Sequence, residues 1–176
     1  MRSANYRKYV YHALLGFICI LLYLWENSVF AFPTISSVRA LPLMSFVICI
    51  SIYNPETPAT VYGLIAGVAM DIGRLHPNGF HAIFMLIACV ACGLFIRLLL
   101  NRTLLCALVL SFFVCFIYFF TYWLFFCRPD AAADSGYCLI RYYLPMAVYT
   151  WVFTLPFYLI VGAMTRKFRV DDRVLL

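Results

Sequence analysis

Residues 103–126 run for 24 positions without a charged side chain, and this stretch limits what the chain can fold into. About 20 consecutive apolar residues make a helix long enough to cross the hydrocarbon core of a bilayer. The whole chain agrees, because 66% of its 176 residues are hydrophobic and only 11% are charged. Soluble domains are closer to half apolar and a quarter charged. The sequence therefore predicts an integral membrane protein.

Six apolar segments separated by short polar turns predict an all-α, polytopic membrane protein, folded as a compact bundle of six transmembrane helices. The loops are too short for a soluble domain, so residues 1–176 are expected to form a single transmembrane domain. The expected spans are, to within a few residues, 10–25, 40–54, 59–73, 80–100, 103–126 and 139–164.

The second and third spans are short, and a turn from Asn54 to Pro58 joins them. Helices of about 15 residues reach only about 22 Å, whereas the hydrocarbon core is about 30 Å thick. They are either two short spans in a thinned bilayer or a hairpin that crosses only in part. We favour two short spans.

The basic residues indicate the orientation of the bundle. Nine of the thirteen lie before the first span, between spans four and five, or after the last span. Because loops rich in Lys and Arg stay in the cytoplasm, both termini are predicted to be cytoplasmic. The net charge of +6 therefore comes from basic residues that cluster at helix ends. Nucleic acid is not an expected partner.

Gly63, Gly67 and Asp71 recur at a spacing of four within an apolar, helix-length run. This spacing puts all three on one side of a helix, where two glycines let another helix approach closely. The stripe is either a face for a partner protein or a packing surface within the bundle. An ionised carboxylate at this depth needs a partner or water. Candidate partners for Asp71 are Arg74, the backbone amides of the turn up to Gly79, and a residue on another helix.

Neither catalytic nor metal chemistry is expected, and no cofactor is predicted. Cys89 and Cys92 have the spacing of a zinc pair, but a second pair is missing, and cysteine in an apolar run behaves as a small hydrophobe. The three histidines show no catalytic spacing with Ser or Cys. Asp71, His76 and His81 could converge on a metal, but a solvated turn that caps a helix is the favoured interpretation.

Two predicted outer loops carry further candidates. Pro77, Asn78 and Gly79 form the turn that opens the fourth span. Cys127 and Cys138 flank the loop before the sixth span, on a side that can be oxidising, so they either form a disulfide or remain free thiols.

Aromatic side chains should gather at the same outer interface. An aromatic belt is the favoured interpretation, and a ligand cage is the alternative. The residues concerned are Tyr122, Trp123, Phe125, Phe126, Tyr142 and Tyr143.

The segment from Tyr62 to Arg102 resembles the rod shape-determining protein MreD family. The family pattern is a glycine, a second glycine about four residues on, an aspartate that ends the helix, a turn with glycine, and an apolar span that closes on basic residues. The stretches YLWENSVFAF and LPFYLIVGAMTRKF are similar to the exit of that family's first span and the end of its last. The positions that match the pattern are Gly63, Gly67, Asp71, Gly79, Arg97 and Arg102.

The resemblance implies a non-enzymatic scaffold in the bacterial inner membrane, within the machinery for cell elongation. Such proteins associate with the bitopic membrane protein MreC and, through it, with MreB and the peptidoglycan synthases. Neither a cofactor nor a small-molecule substrate is expected on this interpretation. The alternative is the substrate-binding subunit of an energy-coupling-factor vitamin transporter, which also has six helices but needs a polar pocket in its outer half.

Overall fold

The computed structural model describes residues 2–28, 39–72, 79–98, 103–127 and 135–168. In this part of the chain the structure is helical, and it divides into six helical segments. These are α1 (Arg2–Asn27), α2 (Pro42–Tyr53), α3 (Glu56–Asp71), α4 (Phe80–Leu98), α5 (Leu104–Tyr122, continued by the π-helical turn Trp123–Cys127) and α6 (residues 135–168).

Helix α6 is not uniform. An initial turn, Ser135–Cys138, leads into a π-helical turn, Leu139–Tyr143, and then into the α-helical stretches Leu144–Val152 and Thr154–Phe168. The break at Phe153 lies three residues before Pro156, which has no N–H to donate to a carbonyl one turn earlier.

Four stretches are long enough and apolar enough to cross a membrane: Tyr6–Asn27, Phe80–Leu98, Leu104–Phe126 and Gly136–Phe168. Helices α2 and α3 are shorter, with 12 and 16 residues, or about 18 and 24 Å at the usual helical rise. Whether these two cross completely stays a prediction.

Helix α2 forms the centre of the bundle. Every residue from Pro42 to Ile52 is buried, and α2 contacts each of the other five helices. Apart from Ser45 and Ser51 its surface is apolar, which is typical of a helix buried on all sides.

The break between α2 and α3 is shorter than the sequence suggests. We expected a turn from Asn54 to Pro58, but α3 already begins at Glu56. Pro58 therefore lies in the first helical turn, where a backbone N–H needs no acceptor within the helix, so proline is tolerated there.

Contacts between helices define two ends of the bundle. The Tyr11 hydroxyl of α1 lies 3.0 Å from that of Thr165 of α6, so the start of α1 and the end of α6 lie side by side. We call this the terminal end; it also holds the α2–α3 connection, because the Asn54 side chain bonds to Tyr11. The opposite, distal end holds Asp71 and the first turn of α4.

Candidate functional site

Helices α3 and α4 approach each other closely at the two glycines of the stripe. A Cβ added to Gly67 would lie 2.5 Å from the Cα of Ala82 and 2.6 Å from the carbonyl oxygen of His81. A Cβ at Gly63 would lie 2.9 Å from the carbonyl oxygen of Met85. Since these neighbours are backbone atoms, no side chain can rotate away to make room. The stripe therefore lies inside the bundle, against α4.

Asp71 ends the stripe and caps the neighbouring helix. Its Oδ2 accepts a hydrogen bond of 3.0 Å from the backbone N–H of Ala82, in the first turn of α4. Gly79, which precedes α4 with a φ of +68°, has no side chain to do this, so α3 supplies the cap from outside. Asp71 is 8% exposed, and the positive end of the helix dipole stabilises its carboxylate. Of the three kinds of partner expected for Asp71, the structure shows the last, a residue on another helix, which is Ala82 of α4.

His81 links the same turn of α4 to α5. Its ring is 2% exposed, and its Nδ1 lies 2.9 Å from the Tyr118 hydroxyl. The Tyr122 ring stacks on it at 5.5 Å and 14°. We call Asp71, His81, Tyr118 and Tyr122 the distal polar cluster, which ties α3, α4 and α5 together at one end of the bundle.

A second network, at the terminal end, was not predicted. Besides its contact with Thr165, the Tyr11 hydroxyl accepts a hydrogen bond of 3.1 Å from the Asn54 side chain. Nearby, the Tyr62 hydroxyl donates to the carbonyl oxygen of His12 at 2.9 Å. Asn54 was expected in a turn, and a side-chain amide at the end of a largely apolar run was the signal that could have revealed its role.

The start of α2 is also capped by a residue of another helix. The backbone N–H of Leu41 donates to the Thr150 hydroxyl of α6 at 3.1 Å, and the Ser45 hydroxyl donates to the Thr150 carbonyl at 2.6 Å. Leu41 itself cannot cap the helix with its side chain. Thus α2 and α4 both begin at the distal end, each with a backbone N–H that donates to a side chain of another helix.

The remaining predicted candidates lie partly outside the described residues. Nothing is described for Pro77, Asn78 and His76, and the same holds for the side chain of Cys127. Cys138 is partly buried at the start of α6. The disulfide between Cys127 and Cys138 stays a prediction, and the intact mass of the unreduced protein would test it.

The aromatic residues expected at one interface do lie together in part. Tyr122 packs on Phe126 at 4.8 Å between ring centroids and on Tyr143 of α6 at 6.0 Å. Phe80, which the sequence analysis did not include, contacts five aromatic rings and His81 at the start of α4. The aromatic belt expected at the membrane interface stays a prediction, and the ligand cage stays its alternative.

No group of three metal-ligating side chains converges anywhere in the part of the chain that the structure describes. Cys89 and Cys92 are fully buried in the apolar core. A cavity of about 90 Å³ lies between α5 and α6 and has an apolar wall. Its lining residues are Phe116, Phe119, Phe120, Leu139, Tyr143, Leu144 and Ala147.

The fold defines an all-helical membrane protein whose buried polar groups join helices to one another. The model of the rod shape-determining protein MreD family matches residues 7–168, which is nearly the whole chain. The chain therefore belongs to the MreD family, whose members are shape-determining structural membrane proteins. No curated protein and no solved structure shows a significant match to it.

Proposed function

We propose that this protein is a non-enzymatic scaffold subunit of the bacterial rod complex, which directs cell elongation. It is a single, multi-pass transmembrane domain of the inner membrane, with both termini in the cytoplasm. It binds a bitopic, MreC-like partner and through it acts with MreB and the peptidoglycan synthases. The observation that carries this proposal is the family match over residues 7–168.

The contacts inside the bundle support a scaffold. Hydrogen bonds that involve Asp71 and Thr150 as acceptors and Asn54 as donor each join two different helices, so these polar groups are occupied in holding the bundle together. Hydrogen bonds between buried groups on different helices favour one defined arrangement of helices. A protein that presents fixed surfaces to partners needs such an arrangement.

The vitamin-transporter alternative is not favoured. The family match assigns the chain elsewhere, and the cavity between α5 and α6 offers no polar group that would orient a vitamin. Mass spectrometry of the purified protein would detect a co-purified vitamin, which would revive this alternative.

Depletion and complementation in a rod-shaped host test the proposal. Loss of the protein should turn rods into wide or round cells, and the wild-type chain should restore cell width. An affinity-tagged chain, extracted in mild detergent, should recover the MreC-like bitopic protein but not an unrelated bitopic protein. Unchanged cell width after depletion, or no recovery of the partner by a folded chain, would refute the scaffold role.

A further inference from the structure

The cavity of about 90 Å³ between α5 and α6 forms a groove on the distal part of the bundle. Nearer the terminal end the two helices are tied together, because the Trp151 Nε1–H donates to the Leu108 carbonyl at 2.8 Å. On the distal side of this contact each helix contains a π-helical turn, Trp123–Cys127 in α5 and Leu139–Tyr143 in α6. Such turns are rare and are frequent at functional sites. We call this cavity the α5–α6 groove.

The central helix does not fill the α5–α6 groove. Helix α2 begins beside Thr150, whose hydroxyl accepts a hydrogen bond from the Leu41 N–H. The α6 residues that line the groove lie between 139 and 147, on the distal side of Thr150. The α5–α6 pair therefore continues past the start of α2. Phe119 and Ala147, 3% and 6% exposed, form the deepest part of the groove.

The rim of the groove lies at the outer surface of the bundle. The rim residues Phe116, Phe120 and Leu144 are 45%, 42% and 44% exposed. The rings of Phe116 and Phe120 are nearly parallel, at 8° and 6.3 Å between centroids, and Phe112 continues this stack at 17°. Over eight residues the three rings form an aromatic wall about 12 Å long on α5.

These walls favour a lipid chain over a partner helix. Membrane helices associate through small residues, which let backbones approach, and through hydrogen bonds between polar side chains. The rim instead carries bulky apolar side chains. A cavity of about 90 Å³ is also far too small for a helix, which is about 10 Å across. A single hydrocarbon chain is narrow and flexible enough to follow such a groove.

We propose that the α5–α6 groove binds one acyl chain of a bilayer phospholipid. The chain lies along the aromatic wall of α5 and over Ala147, where it supplies the packing that α2 provides elsewhere in the bundle. Each contact between apolar atoms contributes little, but the contacts add up along a chain that has protein on several sides. Chains around the rest of the bundle touch the protein on one side only.

Photolabelling of the full-length, delipidated protein in mild detergent tests this. The probe is a phosphatidylcholine that carries a diazirine on one acyl chain, and mass spectrometry of peptides locates the label after irradiation. Label at Phe116, Phe120 and Leu144 should saturate at one bound probe per protein. Label at Ile83 and Ile87 of α4, which are 62% and 61% exposed, should stay low and rise in proportion to the probe.

Two pairs of variants separate the groove from the rest of the surface. Ala147→Phe fills the groove and should abolish the saturable label, whereas Ala163→Phe adds the same ring at an exposed position of α6 and should retain it. Phe120→Ala removes part of the wall without adding atoms and should raise the probe concentration needed for half-saturation. Its matched control is Phe95→Ala of α4, where the ring is 47% exposed.

Three results would overturn the proposal. They are groove label that rises without saturation, saturable label that persists in a folded Ala147→Phe variant, and equal half-saturation in Phe120→Ala and Phe95→Ala. In the first case a side chain of a partner helix becomes the better candidate for the groove. The Phe120 pair decides the question if Ala147→Phe does not fold. The measurement is made on the isolated protein, so it is independent of any role in cell shape.

Discussion

Gly67 and Asp71 act on the same few backbone atoms of α4. Gly67 lets the chain at Ala82 come within contact distance of α3, and Asp71 then receives the N–H of that residue. Close approach and capping are therefore linked, because a wider spacing between the helices would lengthen the hydrogen bond. Substitution of either residue should therefore weaken the contact between α3 and α4.

Gly67→Ala should destabilise the protein. The added methyl group would lie 2.5 Å from the Cα of Ala82, and relief requires the two helices to separate. Overpacking of this kind costs about 1–3 kcal/mol. Thermal unfolding in detergent should show a lower midpoint, and less protein should accumulate in membranes.

Gly16→Ala is the matched control, since a Cβ at Gly16 of α1 meets no atom within 4 Å. Alanine favours a helix over glycine by up to about 1 kcal/mol, so this variant should be as stable as wild type or slightly more so. Equal stability of Gly67→Ala and wild type would mean that the close approach does not exist.

Asp71→Ala and Asp71→Asn separate the hydrogen bond from the charge. Alanine leaves the Ala82 N–H without its acceptor. Because this hydrogen bond is part-buried, the cost should not exceed the roughly 1–3 kcal/mol of a fully buried donor. Asparagine keeps an acceptor oxygen and should lose less, because only the interaction with the helix dipole is weakened. The unfolding midpoint and hydrogen exchange at the Ala82 amide measure both effects. The exchange rate of the Ala82 amide should be highest in the alanine variant. Equal exchange rates in wild type and both variants would rule out the cap.

At the scale of elements, α3 and α4 are joined at both ends. Asp71 caps α4 at the distal end, and at the terminal end Arg97 donates to Glu56 at 2.9 and 3.1 Å. The hydrogen bonds from Arg97 lower the pKa of Glu56, which lies before the predicted third span. The pair therefore couples helix packing to protonation of this carboxyl group.

Acid should weaken this end of the α3–α4 pair. Because the pKa of Glu56 is lower in the folded protein, the stabilisation is present above the ordinary value of 4.5 and is lost as pH falls through the folded-state pKa. The pair is partly exposed, so its contribution should stay below about 1 kcal/mol. Unfolding midpoints of wild type, Glu56→Gln and Arg97→Gln between pH 3 and 7 test this. Wild type should exceed both variants at neutral pH and converge with them in acid.

The α3 stripe was visible in the sequence because glycines and a carboxylate stand out at helical spacing in an apolar run. The hydrogen bond that caps α2 was not predictable. The Leu41 N–H meets Thr150, 109 residues away, and nothing local to either residue indicates the other. The central position of α2 could not be predicted for a similar reason. A helix that is apolar on nearly every side does not indicate which face packs against which neighbour. Residue spacing thus predicted one packing surface, whereas hydrogen-bond partners that are distant in sequence could be identified only from the structure.

At the scale of the whole molecule, contact between α1 and α6 places the start of α1 and the end of α6 at the same end of the bundle. The terminal end also holds several exposed basic residues, so its charge favours the cytoplasmic side. They are Arg7, Lys8, Arg97, Arg166 and Lys167. This assignment is the same whether α2 and α3 cross completely or form a shallower hairpin, because either arrangement returns the chain to the side from which it came.

Labelling in intact cells tests this orientation. In a variant with Cys127→Ser and Cys138→Ser, Asp130→Cys should react with a membrane-impermeant maleimide from outside. Tags at both termini should resist external protease until the cells are lysed. The absence of labelling at residue 130, together with cleavage of both tags, would show an inverted bundle. Cleavage of the C-terminal tag alone would mean an odd number of crossings, which the contact between Tyr11 and Thr165 does not allow, and the arrangement of α1 beside α6 would then be wrong.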